Sequence, residues 1–417
     1  MSTRVRALLL MACAFLPYLP GGLRTEHLLF TALALWGAIA FGLGRCRLPA
    51  IVLAAALALF VSLVALAMSS TVSPDAGADA SVVSSFIRLM LPPVICLAAA
   101  TVFAHEPAAT VVVSRAILGV AIPVGAVAAL SAVTDIGGLL GPWVRSGETS
   151  VWAQALAIGR FTGIFNQPLE AGTFYSVALF AAIYLRARRQ AGPLFLGLGM
   201  LCVLAGGMLS LSKNFVVLGL GLGVLLAIAL RVIRLTTAIL VSVAGLAAIG
   251  IGVWRFNETY ATSLLDLLDS GGVVLALTAG RFGGSETDVG QLFTALYTQS
   301  NWVAGFGLGA HLPLDNGYLE YFYQGGVLAI TGYACWLLLL LLAAVQAPRS
   351  AEGRLLATLT LFVAVASLGG PVITANRANV ALLCLMTVAA HSAVRQAAQE
   401  SPSRGRTVPV TTSAAAG

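Results

Sequence analysis

Long apolar runs separated by short polar connections recur along the whole chain. A helix needs about 20 predominantly apolar residues to cross the hydrocarbon of a bilayer. Runs of that order lie near 7–22, 28–43, 50–68, 82–104, 116–134, 171–185, 193–211, 215–230, 235–254, 318–345, 355–370 and 379–394. None alternates with the two-residue period of a strand, so the pattern predicts an all-α polytopic membrane protein with about twelve transmembrane helices. The first run follows Arg4 and Arg6 as a signal peptide would. It ends, however, in Pro17, Tyr18 and Pro20 with no small-x-small cleavage site, and further runs follow at once, so it reads as an uncleaved first span.

The polar connections set the orientation. If the runs alternate from an inside N-terminus, Arg4, Arg6, Arg45, Arg47, Arg115, Arg186, Arg188, Arg189, Arg231, Arg234, Arg349, Arg354, Arg395, Arg404 and Arg406 share one side, out of 23 Lys and Arg in all. Basic residues favour the cytoplasm, so both termini are predicted there. The other side takes Arg24, Arg145, Arg160, Lys213, Arg255, Arg281 and Arg377 with most of the acids, and Arg88 falls inside a run. It also takes the two long connections, about 135–170 and 255–317, so any aqueous chemistry is expected on the outer face. Residues 1–395 read as a single membrane domain. The tail 396–417, rich in Pro, Ser, Thr and Ala, reads as disordered and cytoplasmic.

Composition removes other classes. At 59% hydrophobic and 9% charged, with a mean hydropathy of +0.95, the chain carries more apolar surface than one aqueous core could bury. The net charge of +7 comes from bases that punctuate apolar runs, not from a soluble basic domain, which argues against a nucleic-acid partner. Cys13, Cys46, Cys96, Cys202, Cys335 and Cys384 form no CxxC pair and have no metal spacing, so they read as small packing residues. The outer acids Asp266 and Asp269, and Glu286 and Asp288, suit solvated helix faces better than a metal site, and no cofactor is expected.

The outer segments hold the candidate chemistry. In GRFTGIFNQPLEAGTFY at 159–175, Arg160 precedes a span, where it either anchors the helix end or meets a lipid phosphate, with Asn166 close behind. SLSKN at 210–214 contains the only lysine, Lys213, in a tight outer hairpin, again an anchor or a phosphate or sugar contact. No glycine-rich GxxxxGK precedes it, so it is not a P-loop. Gly305, Gly307 and Gly309 imitate a dinucleotide motif but lack its strand and helix, and read as a tight fold-back. Behind them His311, Asp315, Asn316 and Glu320 open the run at 318–345. Asp315 and Asn316 are good helix N-cap residues, and a carboxylate beside a histidine is also what removing a proton from a sugar hydroxyl requires. Arg88, just before Pro92 and Pro93, must snorkel, pair or serve a function. With Arg160, Lys213, Arg281 and Arg377 it could bring five cations to one outer cavity.

The order RFTGIFNQP, then S-x-S-K, then a long outer loop with GRF and GFGLG leading into DNGYLEYFYQGG, resembles the O-antigen polymerase and ligase superfamily over most of residues 159–380. The resemblance implies a GT-C-like membrane fold acting on glycans linked to undecaprenyl diphosphate at the periplasmic face, with a chain-length regulator and a flippase as pathway partners. It places Arg160 and Arg281 at the family's outer-loop arginines and Lys213 at the basic hairpin position. Ligases of the family carry a histidine beside the asparagine that opens the late helix. Asp315 stands there, with His311 four residues earlier, which favours a polymerase of O-antigen or exopolysaccharide over a ligase. Such a glycosyltransferase needs neither nucleotide sugar nor metal, because the diphosphate leaving group is already activated and arginines neutralise it. The expected roles are Asp315 or His311 as base, and Arg88, Arg160, Lys213, Arg281, Arg377, Asn166, Asn316 and Glu320 on the substrate. A polysaccharide transporter or flippase is the reading from another class, weakened by how few ionisable groups the runs contain.

Overall fold

A computed structural model describes residues 2–19, 24–72, 79–144, 150–237, 240, 262, 265–266, 268–269, 288–298, 302–310 and 316–400. These residues are all-helical. In chain order the helices are α1 (Thr3–Cys13), α2 (Thr25–Gly42), α3 (Ala50–Val72), α4 (Asp79–Val102), α5 (Ala109–Val133), α6 (Gly137–Leu140), α7 (Val151–Ala157), α8 (Pro168–Ala187), α9 (Pro193–Leu209), a π-helical turn (Asn214–Gly219) running into α10 (Leu220–Ala229), α11 (Asp288–Thr298), α12 (Gly317–Gln346), α13 (Ala351–Ala366) and α14 (Asn376–Glu400). Seven of them, α2, α3, α4, α5, α8, α12 and α14, are long and apolar enough to cross a membrane. Of the other expected spans, the first is represented by the eleven-residue α1, two by the short apolar α9 and the π-turn with α10, and one by the sixteen-residue α13. The run at 235–254 lies largely outside the described residues. Helix α14 continues through Glu400, past the expected start of the tail at Gln396.

Two helices form the axis of the bundle. In α8 and α14, 94% of the apolar window is buried, whereas α2 buries 28% and α3, α5 and α12 bury 44% each. A helix apolar all round belongs inside, and one with an outward apolar face needs lipid against it. Leu35, Trp36 and Ile39 of α2 and Val61, Val64 and Met68 of α3 face outward in this way. Helices α3 and α12 pack closely because small residues line the seam. Gly332 sits on Ser62 and the Ala58 carbonyl, and the Ser62 hydroxyl donates to the Ala329 carbonyl at 2.8 Å.

Side-chain contacts sort the connections onto two ends. At one, His105 meets the Arg45 carbonyl, Arg395 donates to Ala104, Arg115 to the Gln190 carbonyl, Arg354 to the Ala229 carbonyl, and Arg188 lies 3.8 Å from Glu352. This is the basic end. At the other, the Tyr18 amide donates to Pro142, Phe161 to Leu209, Gly317 to Ser367, and Leu308 to the Ser70 hydroxyl. Arg24, Arg88, Arg160 and Arg377 belong to this opposite end, where the candidate chemistry lies.

Candidate functional site

Arg88 lies three turns into α4. Pro92 has no N–H to give the Arg88 carbonyl and Pro93 none for Leu89, so the helix is weakened directly after the arginine. The guanidinium pairs with the Oε1 of Glu320 from the first turn of α12. The two side chains differ in exposure, 25% for Arg88 and 1% for Glu320. The other oxygen of Glu320 accepts the Thr374 hydroxyl at 2.8 Å. Only one guanidinium nitrogen meets Glu320, and Nε makes no hydrogen bond among the described residues. Arg88 is thus held in place by a buried carboxylate that engages one of its nitrogens, while the side chain as a whole stays 25% exposed.

A second buried network begins three residues after Thr374. The Arg377 side chain is fully buried, donating to the carbonyls of Ile164 and of Trp143, the latter at 2.8 Å, with its charged carbon 5.1 Å from the centre of the Tyr18 ring. The backbone N–H of Arg377 donates to Glu170 Oε1 at 2.8 Å, and the other Glu170 oxygen accepts the Asn166 amide at 3.1 Å. Glu170 follows Pro168 in the first turn of α8, a position favoured for a carboxylate by the helix dipole. The Asn166 amide group reaches the Tyr18 hydroxyl at 2.6 Å. Arg24 and Glu26, paired at 3.1 Å, lie close enough to interact electrostatically with Glu170. The short turn Val372–Thr374 and the start of α14 therefore clip two buried carboxylates, Glu320 through Thr374 and Glu170 through Arg377.

Arg160 serves a third setting. Its Nε and Nη2 donate to the carbonyls of Ser210 and Leu211 at 3.3 and 3.2 Å, where α9 ends and leaves carbonyls without helical partners. Leu211 has a positive φ of 45°, uncommon for a bulky residue, and Lys213 directly precedes the π-turn. That turn packs on α8: the Ser176 hydroxyl donates to the Asn214 carbonyl at 3.1 Å, and a side chain at Gly172 would strike Ser212. Arg88, Arg160 and Arg377 are therefore held by different protein groups, and no shared cleft joins them among the contacts described.

The GFGLG loop has a definite task. Helix α12 breaks at Gly326, whose φ of 63° and ψ of −160° suit only glycine. The preceding loop covers the break: Phe306 and Gly307 donate to the carbonyls of Tyr323 and Gln324 at 2.8 and 3.0 Å, Gly309 donates to the Gln324 side chain, and Val327 to the Trp302 carbonyl. Gly305, Gly307 and Gly309 all have positive φ, which is how the strand-free loop lies flat on the helix. Asn316 is the N-cap of α12, accepting the Leu319 amide at 2.9 Å while its own amide donates to Leu368. Asp315, His311 and Arg281 lie outside the described residues.

A cavity of about 310 Å³ opens at the same end between α5 and α7, lined by Ser131, Thr134, Asp135 and Trp152 among others. An indole beside a carboxylate and hydroxyls suits a sugar face and its hydroxyl groups. Sequence reading marked 135–170 as an outer segment without singling out Asp135 or Trp152, and the signal available was their position in it. Thr374 and the Arg24–Glu26 pair were equally invisible, since nothing local marks a threonine as the partner of a distant carboxylate. Comparison with protein-family models finds no match for this chain, and no curated protein matches it.

Proposed function

We propose that this protein polymerises oligosaccharide repeat units carried on undecaprenyl diphosphate, acting at the periplasmic face of a bacterial inner membrane through a bundle of about twelve spans of GT-C-like type. The observation that carries the reading is Arg88, a partly exposed cation placed within the membrane-crossing part of α4 by a buried carboxylate that engages only one of its nitrogens. The cavity of Asp135 and Trp152, at the same end of the bundle, supports it as a place for sugar.

In the proposed reaction the acceptor's terminal hydroxyl attacks the anomeric carbon of the lipid-linked chain. The bond from that carbon to the diphosphate oxygen breaks and the diphosphate departs with the electron pair. Asp315 or His311 takes the hydroxyl proton. Arg88, with Arg281 and Lys213, meets the charge developing on the leaving group. Arg160, Arg377, Asn166, Asn316 and Glu320 position the elements around it through the contacts already described.

A transporter reading gains from one observation, the broken helix α12 beside the buried Arg88–Glu320 pair, since transporters build substrate sites at interrupted helices. Extraction of lipid-linked sugars from a deletion strain separates the readings. A polymerase predicts single lipid-linked repeats on the outer leaflet, and a ligase predicts full-length unattached chains. Repeats confined to the inner leaflet would replace the polymerase reading with a transporter.

A further inference from the structure

The basic end contains a cavity that the reaction above does not use. Its volume is about 520 Å³, and it lies where the C-terminal ends of α8, α10 and α14 meet the N-terminus of α13. Arg188, Arg349 and Arg354 line it with Glu352, Gln396 and Gln399. Three arginines against one carboxylate leave the lining with a charge of +2 (3 − 1).

The four charged groups are arranged unequally. Arg354 is committed, since its guanidinium donates to the carbonyls of Pro348 and Ala229 and ties α13 to the end of α10. Arg188 approaches Glu352 Oε1 at 3.8 Å, too far for a hydrogen bond, and that oxygen accepts the Tyr184 hydroxyl at 2.7 Å. Arg188, whose contact with Glu352 is long, and Arg349 are both exposed where they line the cavity. Glu352 is 3% exposed, and its second oxygen is buried with no hydrogen-bond partner among the described residues. A buried carboxylate oxygen without a donor is costly. The site therefore asks for an anion that also brings an O–H.

We infer that this cavity binds the headgroup of an anionic phospholipid with free hydroxyls, of the glycerol phosphodiester class: phosphate on Arg188 and Arg349, hydroxyl on Glu352 Oε2. The position decides for a lipid over a soluble phosphate ester. The ends of α8 and α14, both long and apolar enough to span a membrane, bring the cavity to headgroup level. Leu230 and Ala187 supply apolar wall beside the charges. The choline headgroup lacks both the net charge and the hydroxyl and should be refused.

The test uses the full-length protein in detergent, with native mass spectrometry counting retained lipid after exposure to equimolar phosphatidylglycerol, phosphatidylcholine and phosphatidylmethanol. Phosphatidylglycerol should be retained at least about fivefold over phosphatidylcholine, and also over phosphatidylmethanol, which has the phosphodiester but no hydroxyl. The double variant Arg188→Gln, Arg349→Gln should abolish the first preference, whereas Arg45→Gln, Arg47→Gln, at the same end but outside the cavity, should leave it intact. Glu352→Met, which leaves no oxygen to accept the headgroup hydroxyl, should erase the discrimination against phosphatidylmethanol without removing anion binding. Equal loss in both double variants would reduce the effect to general surface charge and overturn the site. Full displacement of the lipid by millimolar inorganic phosphate or glycerol phosphate would overturn it in favour of a soluble ligand. Should the cavity variants not accumulate, wild-type retention of the three lipids decides alone, and equal retention sinks the proposal.

Discussion

Arg88 and Glu320 should behave as one unit, and a double-mutant cycle measures it. Unit charges 4 Å apart attract by about 4 kcal/mol at an effective dielectric of 20, an upper bound before desolvation is subtracted. The two ends of the pair are unequal. Glu320 is fully buried, so Arg88→Met strands a carboxylate whose remaining support is the Thr374 hydroxyl, and a stranded buried charge costs about 3–5 kcal/mol. Arg88 is 25% exposed and can turn outward when its partner is neutralised. Glu320→Gln keeps an oxygen for Thr374 and should cost only about 1–2 kcal/mol. The double variant removes both charges and should cost about 2–3 kcal/mol, at least about 1 kcal/mol less than the sum of the single losses. Equilibrium unfolding in mixed micelles, read by intrinsic fluorescence, supplies the four free energies. Losses that add to within about 0.5 kcal/mol, or a Glu320 variant worse than the Arg88 variant, would refute the argument that the buried carboxylate holds the arginine in place.

Three further outcomes are expected. Gly326→Ala should lower the yield of folded protein severely, as measured by fluorescence-detected size exclusion, because φ is positive there and a methyl group would enter the Val303 backbone; Gly221→Ala, with open space around it, should be tolerated. Arg377→Lys should destabilise by about 2–4 kcal/mol in the same unfolding assay, since one ammonium cannot span the Ile164 and Trp143 carbonyls and stack on Tyr18 together. Asp315→Asn should accumulate normally in the membrane while polymer output falls at least about tenfold, with His311→Ala as the comparison that assigns the base; wild-type output from both would move the search for the proton acceptor to Glu170 and Glu320.

The hydrophobic pattern by itself determined the class of this protein. Twenty-residue apolar runs can satisfy their backbone in lipid only as helices, and this holds whatever their neighbours are, so α2, α3, α4, α5, α8, α12 and α14 lie where those runs do. The split of the arginines was legible for the same reason, because alternation of spans is a counting argument. Residues whose role is local were also within reach: Asn316 caps α12 as its type and position suggest, and Gly305, Gly307 and Gly309 turn the chain back on itself. The pairing of charges was not legible. Glu320 meets Arg88 across a sequence separation of more than half the chain, and Glu170 meets the backbone of Arg377 across 207 residues, so no local signal marks either carboxylate as buried. Which helices form the axis was equally hidden, since α3 and α8 are both apolar runs and only packing decides that one faces lipid while the other is enclosed. The arginines looked alike along the chain, each a base beside an apolar run. The fold separates them by what surrounds the guanidinium: helix-end carbonyls for Arg160, a closed cage of carbonyls and a tyrosine ring for Arg377, and for Arg88 a buried carboxylate on one nitrogen with the side chain partly exposed.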